Sequence, residues 1–318
     1  MVGLRGVGKT VLLDRMRHHA ESAGILTLRV EAPENRSLPA MLAPQLRQTL
    51  LRLSRNAKAK DLAQRALRGL AGFAKSLKLK FEDIEVGFDF EPEPGLADNG
   101  DLEHDLQALL EAAGAAAQQA DSALAIFVYE LQYVEQEQLA ALITALHRTA
   151  QRKLPVVLVG AGLPQLRGRM GRAKSYAERL FDFPDIGPLS PDAARQALVI
   201  PAREQQVEFT DDALDRMQHE TQGYPYFVQE SGKHAWDVAT TSPITLDDVA
   251  TAEIGPGPHR SGDIAEQLGR AVTSLGPTRG SLIGKGMVWS PNHGDTAFTV
   301  PLFDEFMHRI MPGGDWRE

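Results

Sequence analysis

Residues 3–10 read Gly-Leu-Arg-Gly-Val-Gly-Lys-Thr, and no other stretch of the chain constrains its fold so tightly. The run satisfies G-x-x-x-x-G-K-[ST] in full, and each residue type in it has a physical reason. Glycines let the backbone wrap closely enough for successive N–H groups to point at one anion. A helix opening at Lys9 adds the positive end of its dipole. Lys9 supplies a cation for β- and γ-phosphates, and the Thr10 hydroxyl is a magnesium ligand. Gly3, Gly6, Gly8, Lys9, Thr10 and Val11 are therefore the candidate nucleotide-binding residues, with Thr10 the candidate metal ligand. Such a loop joins a strand to a helix. Only Met1 and Val2 precede it, so the first strand of the sheet is expected to be missing.

The rest of the first 190 residues fits an α/β reading. Ile25–Glu31, Leu124–Tyr129 and Pro155–Ala161 are compact apolar runs of strand length, and Phe181–Ile186 is a weaker fourth. Helical stretches lie between them at Thr10–Ala23, Leu38–Leu53, Asp101–Gln119 and Gln136–Arg152. Strand–helix alternation of this kind predicts a parallel sheet with helices on both faces. Lys78–Phe90 roughly alternates and reads as an inserted hairpin. From Ser190 the character changes to short helices, with starts at Ser190-Pro191 and Thr210-Asp211. Ile254-Gly255-Pro256-Gly257-Pro258 is the clearest linker. The expected domains are 1–189, 190–253 and 254–318.

Composition removes several alternatives. The absence of cysteine excludes disulfides, thiolate catalysis and cysteine-ligated metal. The histidines form no His-Glu-x-x-His set, and no Gly-x-Ser-x-Gly elbow occurs. No apolar stretch is long enough to cross a bilayer, and no signal-peptide core is present, so the expectation is a cytoplasmic protein with no membrane partner. A formal net charge of −8 argues against coating nucleic acid by bulk electrostatics. The charge is unevenly spread: 47–80 carries 10 basic residues against Asp61 alone, and 81–111 carries 11 acids and no Lys or Arg. That block reads either as a solvated basic helix near an acidic hairpin or as a basic arm for DNA or an acidic partner.

A phosphate loop of this type is completed by an apolar strand ending in Asp-Glu, the aspartate holding the magnesium shell and the glutamate orienting the attacking water. Leu124–Gln132 supplies the strand and Glu130, while Tyr129 occupies the aspartate position. An uncharged phenol is a poor magnesium ligand. Tyr129→Asp is expected to strengthen magnesium-dependent binding once the missing strand is restored, and Tyr129→Phe to change little.

With these motifs in order, the chain resembles bacterial P-loop ATPases of the AAA+/STAND type, related to origin-recognition initiators and archaeal ATPases. The resemblance rests on 3–10, on Tyr129-Glu130-Leu131-Gln132 (usually Asp-Glu-x-Gln), on 157–164 and on Gly223-Tyr224-Pro225-Tyr226. It implies ATP and Mg2+ as cofactors, Lys9 and Glu130 as catalytic residues and a helical lid. It also implies that Pro225 packs on the nucleotide, as in a G-x-P lid motif, although a plain turn fits those residues too. Arg179 sits roughly where such families place a trans-acting arginine; a surface or salt-bridged arginine is the plainer reading. Gly160-Ala161-Gly162 offers no polar side chain at the third strand's end, where such proteins usually sense the γ-phosphate.

The C-terminal stretch reads as a winged helix-turn-helix. Ser261–Leu268 forms a first helix, Gly269 the turn, and a second helix to about Lys285 presents Arg270, Thr273 and Arg279. Met287–Val300 supplies a wing through the turn Asn292-His293-Gly294-Asp295. Arg270, Thr273, Arg279 and Lys285 are candidate DNA contacts. A protein partner or a homo-oligomer contact is the other use of such a module. The expected function is an ATP-binding ATPase coupling nucleotide state to DNA or partner binding. The alternative is a non-hydrolysing nucleotide-dependent switch or scaffold.

Overall fold

The computed structural model describes residues 1–32, 37–78 and 90–251, with two further short strands at 288–289 and 297–298. It divides into two units, residues 1–2 with 9–184 and residues 3–8 with 185–318.

In the first unit a parallel sheet is built from β1 (Leu26–Glu31), β2 (Leu124–Tyr129) and β3 (Val156–Gly160), in the order β1-β2-β3. β2 is central and all six of its residues are buried. The period of two sends its side chains to opposite faces. Leu124, Ile126 and Val128 meet the core formed by α2 (Leu38–Leu53), α3 (Lys60–Ser76), α4 (Leu102–Gln119) and α5 (Gln136–Gln151). Ala125, Phe127 and Tyr129 meet Leu13 of α1 (Lys9–Ser22) on the other face. The caps are local. Ser37 accepts from the Ala40 N–H at the start of α2, and Asp101 from the His104 N–H at the start of α4.

The basic block is not a fully solvated helix. Ala63, Ala66, Leu67, Leu70 and Phe73 of α3 are in the core. Arg65 and Arg68 both pair with Glu93, in the loop that crosses the helix. Gly69 and Gly72 permit that crossing: a Cβ at Gly69 would meet the Leu96 side chain at 3.0 Å, and one at Gly72 the Asp98 Cβ at 3.1 Å. The fully buried Asp105 carboxylate fastens the loop, accepting from the backbone N–H groups of Asn99 and Gly100 and from the Ser76 hydroxyl. The hairpin expected at Lys78–Phe90 falls almost wholly outside the described residues.

Phe181–Ile186 does not form the expected fourth strand; it is an extended connection after α6 (Leu166–Ala173) and α7 (Ala177–Leu180). A strand needs a continuous ladder, and the described bonds to this segment are isolated ones, the Val2 N–H donating to the Pro184 carbonyl at 2.9 Å and Arg167 Nη2 to the Phe183 carbonyl at 3.0 Å. Proline has no N–H to return. Val2 also pairs in parallel with Gly162, and the Met1 ammonium donates to the Gly160 carbonyl at 2.7 Å. The two residues leading into the phosphate loop thus lie beside β3.

The second unit is a small helical body of α8 (Pro191–Glu204), α9 (Asp211–Thr221), α10 (Pro225–Val238) and α11 (Leu246–Thr251). Leu198, Leu214, Met217, Val228 and Ile244 form its core. Both expected helix starts are found, and Ser190 accepts from the Ala193 N–H. Gly232 brings α10 close to α8, because a Cβ there would lie 2.6 Å from Leu198 Cδ2. β4 (Val288–Trp289) and β5 (Ala297–Phe298) pair antiparallel, within the two strands expected for the wing. Arg270, Thr273, Arg279 and Lys285 lie outside the described residues. Among those described, no helix is long and apolar enough to cross a membrane.

Candidate nucleotide site

Lys9, Thr10 and Val11 form the first turn of α1. Lys9 is 6% exposed, whereas Thr10 and Val11 are open to solvent. Below them α1 is held by the buried Leu13 and by a polar tie to β2. The Tyr129 hydroxyl donates to Asp14 Oδ1 at 2.6 Å. Arg17 Nη2 reaches the same oxygen at 3.5 Å, and the Arg29 guanidinium lies 5.0 Å from the Tyr129 ring centre. The hydrogen bond from Tyr129 holds the Asp14 carboxyl below the usual aspartate range, against a smaller opposing effect of burial. Burial first, then Asp14, pushes the phenol up, so it stays protonated and donates.

Tyr129 is therefore more than a missing aspartate, because its hydroxyl ties β2 to α1. Tyr129→Phe is expected to lower unfolding stability by about 1 kcal/mol at neutral pH, a charge-assisted bond at a partly exposed site. Because the folded-state pKa of Asp14 is depressed, its contribution is present above the usual aspartate range and is lost as the pH falls through the depressed value. Denaturant titrations of parent and variant should thus differ at pH 7 and converge in acid. A gap that persists unchanged at pH 2–3 would assign the loss to packing instead.

Glu130 follows directly, with φ 53° and ψ 42° in the left-handed region. A non-glycine residue held there is strained by roughly 1–2 kcal/mol. The strand end is fixed by the Leu131 N–H donating to the Ala161 carbonyl at 2.9 Å. Glu130 Oε2 accepts from Gln132 Nε2 at 2.5 Å, and Gln132 Oε1 accepts from the Leu163 N–H at 3.1 Å. Gln132 is 4% exposed.

In the second unit, Gly6 and Gly8 of the loop have φ of +81° and +84°, a region open to glycine and costly for other residues. A Cβ at Gly3 would lie 2.3 Å from the Ile186 carbonyl oxygen. The Gly223-Tyr224-Pro225 motif is a tight turn into α10, in which Leu189 N–H donates to the Gly223 carbonyl. The structure brings loop and motif together, since the Tyr226 N–H donates to the Gly6 carbonyl at 3.0 Å. Tyr226, a residue past the proline, is 53% exposed with its ring 5.3 Å from that of Phe227. Gly223 has φ +72°, and a Cβ there would sit 2.4 Å from the Leu189 carbonyl oxygen. Gly223→Ala is expected to cost about 2–4 kcal/mol, strain and overlap combined, read by denaturant titration. A loss under about 0.5 kcal/mol would show that the turn is not held as described.

The sequence singles out Lys9, Thr10, Glu130 and the loop glycines, but not Asp14 or Tyr226, and it gives Gln132 a place in a motif without a role. The one signal for Asp14 is its place four residues after Thr10, which puts both on one face of α1. Arg179 is exposed on α7.

A parallel sheet, with a glycine-rich loop leading into a helix that opens on Lys-Thr, defines the P-loop class of nucleotide-binding folds. The family model described as AAA ATPase domain matches residues 1–159, half of the chain, and the chain belongs to that family. A second model, described as a domain of unknown function (DUF8462), matches residues 244–307. No curated protein matches the chain. Among solved structures it is similar to the Aeropyrum pernix Orc1 protein in complex with DNA, at 15% identity and a TM-score of 0.43, over 98% of this chain and 87% of that one. Cdc6p from Pyrobaculum aerophilum gives 12% and 0.43, over 94% and 82%. The Thermotoga maritima RuvB Holliday junction branch migration motor gives 15% and 0.36, over 70% and 86%.

Proposed function

We propose that the chain is a STAND-type AAA+ ATPase that binds ATP through residues 3–10, hydrolyses it with Glu130 as base, and couples nucleotide state to DNA or a protein partner. On this reading residues 1–189 are the ATPase core, 190–253 the lid and 254–318 a winged helix-turn-helix. Pro225 packs on the nucleotide, and Arg270, Thr273, Arg279 and Lys285 face DNA. The observation that carries the reading is the motif itself: two glycines at positive φ run into a helix opening on a nearly buried Lys9 and an exposed Thr10.

The family implies magnesium as well. Among the described residues no group of three or more His, Cys, Asp or Glu side chains could hold a metal unaided. The Thr10 hydroxyl fits as one protein ligand, with phosphate oxygens and water supplying the rest. The ion would neutralise charge on the β- and γ-phosphates. This chain's own part in the reaction is then plain. Loop N–H groups and Lys9 hold the phosphates, and Glu130 orients a water. The water's oxygen bonds to the γ-phosphorus as the bond to the β–γ bridging oxygen breaks, giving ADP, phosphate and a proton that passes through Glu130.

The Tyr129–Asp14 bond favours the second reading, a nucleotide-dependent switch that does not hydrolyse. It occupies the position where the metal shell's aspartate would stand with a neutral donor already engaged. Steady-state phosphate release by the parent and by Glu130→Gln separates the two. Turnover lost in the variant supports the ATPase; none in a parent saturated with ATP supports the switch.

A further inference from the structure

We propose that Gln132 is the positioning residue for Glu130, and that it takes the place of the polar side chain that the end of β3 lacks. The inference rests on the ATPase reading above. It starts from the orientation of one amide. The Leu163 N–H can only donate, so the Gln132 oxygen must face it; the Glu130 carboxylate can only accept, so the NH2 must face that side. A flipped amide would lose both bonds. The side chain is also walled in. A Cβ at Gly162 would come within 2.8 Å of both Gln132 Oε1 and Leu166 Cδ2, so glycine there leaves room for the amide.

The arrangement links three things that sequence keeps apart: the candidate base at the end of β2, the buried amide and the backbone just after β3. The Leu131 N–H to Ala161 carbonyl bond, at 2.9 Å, runs beside it and locks the same two strand ends together. With Glu130 Oε2 accepting from the amide, the carboxylate is held in one orientation and keeps acceptor sites to meet a water. Gly160, Ala161 and Gly162 carry no polar side chain to read the γ-phosphate, and the buried amide is a polar side chain held beside that strand end. A change in the backbone at Leu163 would reach Glu130 through one side chain.

The test compares Gln132→Met, Gln132→Glu, Glu130→Gln and the Gln132→Met/Glu130→Gln pair in steady-state ATP hydrolysis, with ATP affinity measured by calorimetry. Met matches the amide in size without its polar atoms. Glu keeps the acceptor for Leu163 but sets a carboxylate against Glu130 in place of the NH2 donor, so its kcat, read at a pH high enough that the pair does not share a proton, remains informative if Met unfolds the protein. Each Gln132 variant should lower kcat about 10- to 100-fold while KM and ATP affinity stay within about twofold. Gln132→Met should cost nothing further once Glu130 is Gln, because it acts through that residue. The inference is overturned if kcat stays within twofold of the parent, if KM rises in step with the loss, or if the two losses multiply. A parent that binds ATP without hydrolysing it would overturn the ATPase reading first, and this inference with it. A parent that turns over normally beside unaffected Gln132 variants would overturn this inference alone.

Discussion

Lys9→Ala is expected to weaken ATP binding about 30- to 150-fold, read by calorimetry on nucleotide-free protein. The figure follows from removing a charge-assisted interaction with the β- and γ-phosphates, about 2–3 kcal/mol, at RT ln K. Lys9 lies at the first position of α1 and is only 6% exposed, so on the proposed reading its ammonium would meet a phosphate in a poorly hydrated setting. Its three donors cannot be replaced by the loop's N–H groups, which have their own phosphate oxygens to serve. Alanine is a strong helix former, and α1 is also held by Leu13 and by the Tyr129–Asp14 bond. The fold should therefore survive, and an unchanged unfolding midpoint is the control. Equal affinity for parent and variant would mean that the loop no longer binds phosphate.

Glu130→Gln carries the largest expected effect, a fall in kcat of about 10²- to 10⁴-fold, the usual worth of a general base. Affinity for ATP should stay within a few-fold. The reason is local. Glutamine keeps an oxygen that can accept from Gln132 Nε2, so the side chain stays where it is and loses only its ability to take a proton. The left-handed backbone at residue 130 is likewise untouched by an isosteric change. Turnover within twofold of the parent would remove Glu130 from the chemistry. A parallel loss of affinity would assign it to binding.

Much of the first unit was legible because its signals are local. The run Leu124–Tyr129 is bounded in the structure as in the sequence, since six apolar residues buried on both faces need no partner-dependent reading. Ser37-Leu38-Pro39 likewise announces α2 through a cap and an early proline. The failures are equally physical. The 47–80 block reads as a helix, but the bounds and burial of α3 do not, because mid-helix Gly69 and Gly72 lower propensity and their purpose, the close approach of the loop at 96–98, is tertiary. Phe181–Ile186 has the composition of a strand, but strands depend on what lies alongside, and here that is Val2. At the site, the phosphate loop is a contiguous motif and could be read directly. The bond from Tyr129 to Asp14 joins residues 115 apart, and that from Leu163 to Gln132 residues 31 apart. No periodicity in a single sequence encodes such pairings. They change how the site is read, since one gives Tyr129 a task and the other gives Glu130 a support.

The central claim is that residues 3–10 form a working nucleotide site, and calorimetric titration of the parent with ATP, in magnesium and again in EDTA, tests it most directly. The account predicts saturable one-to-one binding in magnesium and weaker but measurable binding in EDTA, because the loop's N–H groups and Lys9 act on phosphate without the metal. No binding in either titration, from protein shown to be folded, would contradict it.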